Sequence, residues 1–454
     1  MTGRDRKPRT AVIGGGMAGC AAAKQLIKAG HEVVVYESAD GLGGRARSWH
    51  RPEIEPSVGI NLMYVSFYSL MTEMLEEYGL KDDVIPISGT LWVSHGGKVA
   101  PLDPSNLMTL AKYPHVSVRD RVRFFLSTLA QVRRKEKLDM FDPVKAAEHD
   151  DGDSAADWGY RQLSRRGFDY LMRPQVEGFW NFACEEVSAV HARSLLAWMG
   201  GSGFYVLPNG IQVIAEKNAA GAELRLSHEV TGIHTEGGRE GGVRITAAGP
   251  DKDPVTDSFD GVVVATPAPA AAKLVADLPA TTVSDGMRSY LETQRYEPAI
   301  SVSFLAEPGT VRPEAHILAG GPDDPPLRNM ITYPRKVRDE QGNLVDKVLV
   351  FAYPGRAITR RLLGRPPEEQ FAEVAPLLST LWPGFPVESA EPFHIAERPL
   401  AFPIPAPGRY RLSAGLVEEQ RSPVVFAGDY FNSPTTEAAM LSGTRAAEAL
   451  TKAG

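Results

Sequence analysis

Residues 10–47, TAVIGGGMAGCAAAKQLIKAGHEVVVYESADGLGGRAR, restrict the possible folds more than any other stretch of this chain. Ala11-Val12-Ile13 is a short apolar run of the kind buried in a parallel sheet. Gly14-Gly15-Gly16-Met17-Ala18-Gly19 follows, and residues 21–29 carry good helix formers at most positions. A second apolar run, residues 32–36, ends in Glu37. Strand, glycine turn, helix, strand and acid in that order describe a dinucleotide-binding βαβ unit. Gly14 lets the chain turn out of the strand, Gly16 lets backbone approach a pyrophosphate, and Gly19 lets the helix lie close to the sheet. The diphosphate is expected on free backbone N–H groups of the first helical turn, where Met17 and Ala18 stand, at the positive end of the helix dipole. Glu37, followed by Ser38, comes 23 positions after Gly14, close to the ~20 expected for an acid that accepts from both ribose hydroxyls. Its charge disfavours a 2′-phosphate.

Leu42-Gly43-Gly44-Arg45-Ala46 narrows the ligand. Two glycines and an arginine can wrap backbone over a diphosphate and add a cation, a cover that NAD does not need. Together these segments resemble the fingerprint of the flavoprotein superfamily of amine oxidases, protoporphyrinogen oxidases and phytoene-type desaturases. The resemblance implies FAD, held noncovalently because the Ser-Gly-Gly-Cys type of attachment is absent. It also implies cofactor contacts at Gly59 and at Asn61, where the family often has histidine. Further contacts are implied at the backbone near Val230 and at the strand end Ala265-Thr266-Pro267.

A second fingerprint stands near the C-terminus. The apolar run 424–426 delivers Gly428 and Asp429 where ligands bind in open α/β sheets. Asp429 can accept from a ribityl hydroxyl or a backbone N–H. Thr435 can cap the helix that follows, aiming its positive end at a flavin ring. The run Thr436-Glu437-Ala438-Ala439-Met440 and the later Ser442-Gly443 resemble the closing AGD…EGA…SG motif of the same superfamily, with alanine for its central glycine. The implied cofactor residues there are Gly428, Asp429, Thr436, Glu437, Ala438 and Met440.

The expected fold is therefore α/β, a Rossmann-type, glutathione-reductase-like FAD-binding domain with an inserted α+β substrate domain. Residues 1–88, 205–285 and 396–454 are assigned to the first, and 89–204 and 286–395 to the second. Residues 224–233 read as one strand, residues 168–190 as helix interrupted at Pro174, and residues 397–408 as a proline-rich approach to the last strand. The stretch 118–132 has Val118, Val122, Phe125, Leu126, Leu129 and Val132 at helical spacing, flanked by Arg119, Arg121, Arg123, Arg133, Arg134 and Lys135. A basic amphipathic helix can lie on an anionic membrane, but the expectation is that its apolar stripe faces the core.

A net charge of −7 argues against nucleic acid. With only Cys20 and Cys184, neither a disulfide framework nor a metal site is expected, and a reducing compartment fits. The chain shows no signal peptide and no run of ~18 apolar residues, so it reads as cytoplasmic, with peripheral membrane contact left open.

A flavin without a second nucleotide fold points to electrons entering from a small-molecule substrate and leaving to oxygen or a quinone. The reaction class is hydride removal that creates C=C or C=N. Classical amine oxidases carry a lysine on a substrate-domain strand; the corresponding stretch here, residues 297–304, has none. The balance favours a desaturase- or oxidase-like activity on an apolar or amphipathic molecule, with imine-forming amine oxidation close behind. A non-catalytic FAD-binding scaffold is the competing class. His191, Tyr296 and Tyr430 could reach a cavity, but each is isolated, and no catalytic residue is assigned.

Overall fold

The computed structural model describes residues 6–48, 54–55, 63–64, 68–103, 106–198, 203–208, 210–235, 242–250, 253–339 and 341–452. Gly59 and Asn61 lie outside them.

Five short strands form a parallel sheet in the order Val424–Phe426, Gly261–Val264, Arg9–Ile13, Glu32–Tyr36, Glu223–Arg225. Side chains alternate across such a sheet, and in the four strands other than Glu223–Arg225 both faces are buried. Val12, Val33, Val35, Val263 and Val425 belong to one core cluster, shared with the helices Met17–Lys28 and Thr436–Thr451. Ala11, Ile13, Val34, Tyr36, Val262, Val264 and Phe426 belong to another, shared with the antiparallel strands Glu229–Thr235 and Val243–Ala248. Covering on both sides is why these strands read as continuous apolar runs.

Glycines allow close backbone approach on the first face, Gly19 to the preceding turn and Gly443 between the two helices. A Cβ on Gly19 would collide with the Gly14 carbonyl oxygen, and one on Gly443 with the Ala18 carbonyl oxygen. This contact brings residues near opposite ends of the chain onto one sheet.

A second, mostly antiparallel sheet runs Glu391–Pro403, Tyr296–Ala306, Leu344–Pro354, Leu327–Arg338, His316–Ala319, Leu91–His95, Lys98–Leu102, with Ile54–Glu55 paired to Leu327–Arg338. The hairpin at its end turns through Gly96 and Gly97, both left-handed at φ 57° and 74°, as a tight hairpin turn requires.

Three stretches depart from the sequence expectation. Residues 224–233 are two strands, broken at Ser227 (φ 55°), where the chain leaves the parallel sheet for the antiparallel layer. The 168–190 region does not break at Pro174: a π turn over Phe168–Met172 precedes the helix Arg173–Trp180. Pro174 sits in that helix's first turn, where no N–H is needed. Of the proline-rich residues, 397–403 belong to the 13-residue strand Glu391–Pro403, which lies at a sheet edge and tolerates the missing donors, whereas Pro405 and Pro407 lie beyond its end.

The helix Val118–Val132 is the largest correction. Its apolar stripe faces outward: Val118 is 68% exposed and Leu126 56%. Asp120, Phe124 and Gln131 face inward instead. Asp120 accepts from the Ser117 and Ser164 hydroxyls at 2.6 and 2.7 Å, so polar pairing together with burial of Phe124 sets this orientation.

Candidate functional site

A cavity of about 1660 Å³ runs between the two sheets. Its walls bring together most residues singled out from sequence: Gly14, Gly16, Met17, Ala18, Glu37, Ser38, Gly43, Gly44, Arg45 and Ala46 from the N-terminal segment, Val230 and Ala265-Thr266-Pro267 from the middle, and Gly428, Asp429 and Thr436 from the last segment. Gly19, Glu437, Ala438 and Met440 are not among the lining residues. Gly19 serves the helix–strand contact, and Glu437, Ala438 and Met440 are buried behind the wall.

The backbone of the first turn is shaped for close approach. Gly14 is left-handed (φ 107°), and a Cβ there would stand 2.7 Å from the Ala265 carbonyl oxygen. Gly16 has open space where its Cβ would be. The Gly43 N–H donates to the Gly15 carbonyl at 2.8 Å, laying the second glycine loop over the first. Glu37 accepts from the Gly15 N–H at 2.6 Å and the Ala39 N–H at 2.8 Å, which fixes its carboxylate at the groove.

Arg45 joins the two fingerprints. It donates to Asp429 Oδ1 at 2.7 Å and to the Ala401 carbonyl at 2.6 Å. Burial works against its charge, but the Asp429 carboxylate more than offsets this and holds the guanidinium above its ordinary pKa. Thr435 caps the Thr436–Thr451 helix by accepting from the Ala438 N–H at 3.2 Å, so the helix's positive end meets the cavity.

Glu437 has a role that its motif did not disclose. Its carboxylate accepts from the Leu70 and Met71 N–H groups at 2.7 and 2.9 Å, serving the start of the Ser69–Glu77 helix, which lacks a cap of its own. Burial raises its pKa from 4.5 to about 7, against the pull of those N–H donors. A folded-state pKa above the unfolded one contributes stability that is full below about 4.5 and lost as pH rises through 7. The change amounts to about 3 kcal/mol. Urea unfolding across pH 5 to 8 is expected to show this decline in the native chain and a flatter profile in Glu437→Gln. Equal slopes would remove Glu437 as the cause.

The far wall joins the aromatic-rich 168–190 stretch, which the resemblance assigns to the substrate cavity, to residues of the large sheet that sequence did not identify as lining. Phe179, Trp180 and Asn181 follow the π turn, and Ala299, Ile300, Ser301, Arg328, Tyr353, His394, Arg398 and Phe402 come from the large sheet. Trp180 Nε1 donates to the Pro434 carbonyl at 3.1 Å, tying this wall to the last fingerprint. Of the three isolated candidates, Tyr430 lines the cavity, whereas His191 and Tyr296 do not. His191 is fully enclosed, edge-on to Trp180, and burial pushes its pKa down to about 3; it is a neutral core imidazole. The Tyr296 hydroxyl accepts from the Ala268 N–H at 3.0 Å. Among the described residues, no group of acids, histidines or cysteines could hold a metal.

A family model for flavin-containing amine oxidoreductases matches residues 17–451. The chain belongs to that family. Within this flavin amine oxidoreductase family, it is 34% identical over 99 residues to a zeta-carotene desaturase of Synechocystis sp., a match covering 21% of this chain and 20% of that protein. It is 30% identical over 81 residues to an L-amino-acid oxidase of Crotalus adamanteus, covering 18% of this chain and 16% of that protein. The chain thus matches about a fifth or less of the length of these relatives. Among solved structures, cyclohexylamine oxidase from Brevibacterium oxydans superposes with a TM-score of 0.70 at 18% identity, covering 98% of this chain and 99% of that one. Putrescine oxidase gives 0.71 at 17% identity, with 98% of each chain covered. At such identities the likeness concerns fold: a Rossmann-type FAD-binding unit joined to a substrate-binding sheet.

FAD is the family's cofactor, and the groove in this chain suits it. The vacant Cβ direction of Gly16 leaves room for a diphosphate. The buried Thr266 hydroxyl has no hydrogen-bond partner among the described residues, and it faces the same groove. The cavity also exceeds the roughly 300–1,000 Å³ of a single small-molecule pocket, as a site for cofactor plus substrate must. No helix among the described residues is long and apolar enough to cross a membrane.

Proposed function

We propose that this flavin amine oxidoreductase dehydrogenates a small amphipathic molecule, removing hydride to leave a double bond, with oxygen or a quinone as the final acceptor. The observation that carries this reading is one continuous cavity with both fingerprints at one side and a mixed wall at the other. Phe179, Trp180, Ile331 and Phe402 supply apolar surface there, and Arg328, Tyr353, His394 and Arg398 supply polar groups. Such a wall orients a substrate by its two unlike ends. Along the Tyr296–Ala306 strand the lining positions are Ala299, Ile300 and Ser301, so no amine there replaces the lysine of classical amine oxidases. This favours C=C over C=N formation.

Noncovalent FAD would be held by the Gly14–Met17 turn, Glu37, the Gly43–Arg45 loop, Val230, Asp429 and the Thr436 helix start. Bound there, the cofactor supplies a two-electron acceptor for hydride. The chain's own contribution is to place N–H donors and the Thr435-capped helix end beside it, with Arg45 and Asp429 locking the two glycine segments together. The same reading divides the chain into an FAD-binding domain of 1–88, 205–285 and 396–454, and a substrate domain of 89–204 and 286–395. A peripheral membrane contact would bring an amphipathic substrate to the chamber.

Two measurements test the reading. Anaerobic mixing of the yellow protein with amphipathic alkenes and amines is expected to bleach the flavin band with a member of the first set. Bleaching by amines alone, with release of ammonia or aldehyde, would replace desaturation by amine oxidation, and no bleaching by either would favour a scaffold. Separately, Glu37→Lys is expected to purify colourless, because it sets a cation where two ribose hydroxyls need an acceptor, while His191→Ala stays yellow. Full flavin content in Glu37→Lys would refute the ribose assignment.

A further inference from the structure

The apolar stripe of the Val118–Val132 helix has no partner among the described residues, and we propose that this surface docks on an anionic lipid membrane. The observation is geometric. Val118, Val122, Phe125 and Leu126 recur at helical spacing along one side, and all are exposed. The short helix Leu107–Ala111 packs beside it and adds Leu107 and Met108, exposed at 58% and 57%. Arg121 fastens the pair by donating to the Ala111 and Val116 carbonyls. The inward face is held by Phe124 packing and by Asp120 and Gln131, the latter accepting from Arg193 at 3.3 Å, so the stripe is not free to roll inward. Isolated apolar residues on a surface are ordinary; six on two adjoining helices mark an interaction site.

Charge identifies the partner. Residues 107–137 hold eight lysines and arginines against two acids, in a chain whose net charge is −7. Arg119, Arg133, Arg134, Lys135 and Lys137 are exposed around the stripe. A two-fold contact between copies of this chain would set the same cationic segment against itself, which disfavours self-association. Nucleic acid would match the charge but not the apolar stripe. An apolar face flanked by lysine and arginine, on a helix lying flat against the fold, matches the boundary between anionic headgroups and acyl chains. The surface deepens the peripheral contact read above and depends on it only for its purpose, since its own support is exposure and charge.

Co-sedimentation of the flavin-loaded full chain with vesicles provides the test. The protein is expected to pellet with vesicles of phosphatidylcholine mixed with phosphatidylglycerol, to pellet far less with phosphatidylcholine alone, and to be released by added salt. Val122→Glu with Leu126→Glu is expected to lower partitioning by at least about tenfold. Arg133→Ser, Arg134→Ser and Lys135→Ser together are expected to lower it by roughly a hundredfold. Flavin content and near-ultraviolet circular dichroism of each variant report folding, and the two variant sets act as independent arms. Native protein that stays in the supernatant, or variants that pellet like it, would overturn the proposal. So would a lipid-free dimer that the Val122 and Leu126 substitutions dissociate in ultracentrifugation, since the stripe would then belong to a second copy. Lipid binding without flavin bleaching by any water-soluble substrate leaves this surface standing and counts only against the proposed chemistry.

Discussion

Gly443→Val is expected to purify with little bound flavin and to lose about 3 kcal/mol or more of stability. The added Cβ points at the Ala18 carbonyl oxygen, with the Ala22 nitrogen 3.1 Å away. Both are backbone atoms of a helix and cannot swing aside as a side chain could. Relief requires the Met17–Lys28 and Thr436–Thr451 helices to separate, and Met17, Ala18 and Thr436, at their starts, line the same groove. A displacement there spoils two sets of N–H donors at once. The matched control is Gly415→Ala in the Arg409–Glu419 helix, where nothing lies within 4 Å of the new Cβ. It is expected to change stability by less than about 1 kcal/mol, in the favourable direction. Urea unfolding and flavin absorbance per protein check both; a fully yellow, equally stable Gly443→Val would show that the helices yield without cost.

Glu177→Ala is expected to cost about 3–5 kcal/mol. Glu177 accepts from Arg173 at 2.7 Å and from the Cys184 N–H at 3.0 Å with one oxygen, and from Arg328 with the other. Arg173, Arg328, Asp169 and Glu177 are all buried, so truncation leaves two buried guanidiniums with one buried carboxylate, Asp169, which pairs with Arg173. The partially exposed Glu185 and Asp324 also touch them but remain open to water. Glu177→Gln keeps the volume and one acceptor and should lose less. Because Arg328 and residues 178–181 line the chamber, the alanine variant should also weaken substrate affinity in the residual folded protein. An alanine variant as stable as Glu177→Gln would mean that the charge contributes nothing beyond its shape.

The nucleotide-binding half was legible because local rules coincide there. Four of the five parallel strands are apolar on both faces, the glycines fall where backbone approaches backbone, and Thr435 stands where a cap is needed. The large sheet was harder to read. Its edge strand Glu391–Pro403 carries prolines, which propensity alone assigns to loop. Arg328, Tyr353, His394 and Arg398 are single polar residues on long strands, and nothing in their neighbourhoods marks them as chamber walls. The Glu437 interaction was illegible for another reason: its partners lie 366 and 367 positions earlier in the chain, so no window contains both. In the Val118–Val132 helix the pattern was visible but its direction was not. Spacing defines a stripe, whereas the outward turn depends on Asp120 meeting Ser164 from a later helix.

The order of the strands in the parallel sheet also governs when the protein can become functional. Val424–Phe426, at one border of that sheet, and the helix behind it are made well after the sheet's four other strands. The first βαβ unit emerges early, yet Arg45 must wait for Asp429, 384 positions later. During that interval the helix Met17–Lys28 has no neighbour for the face that Gly443 will cover. The nascent chain therefore carries a half-built groove until the segment holding Asp429 and Gly443 has been made.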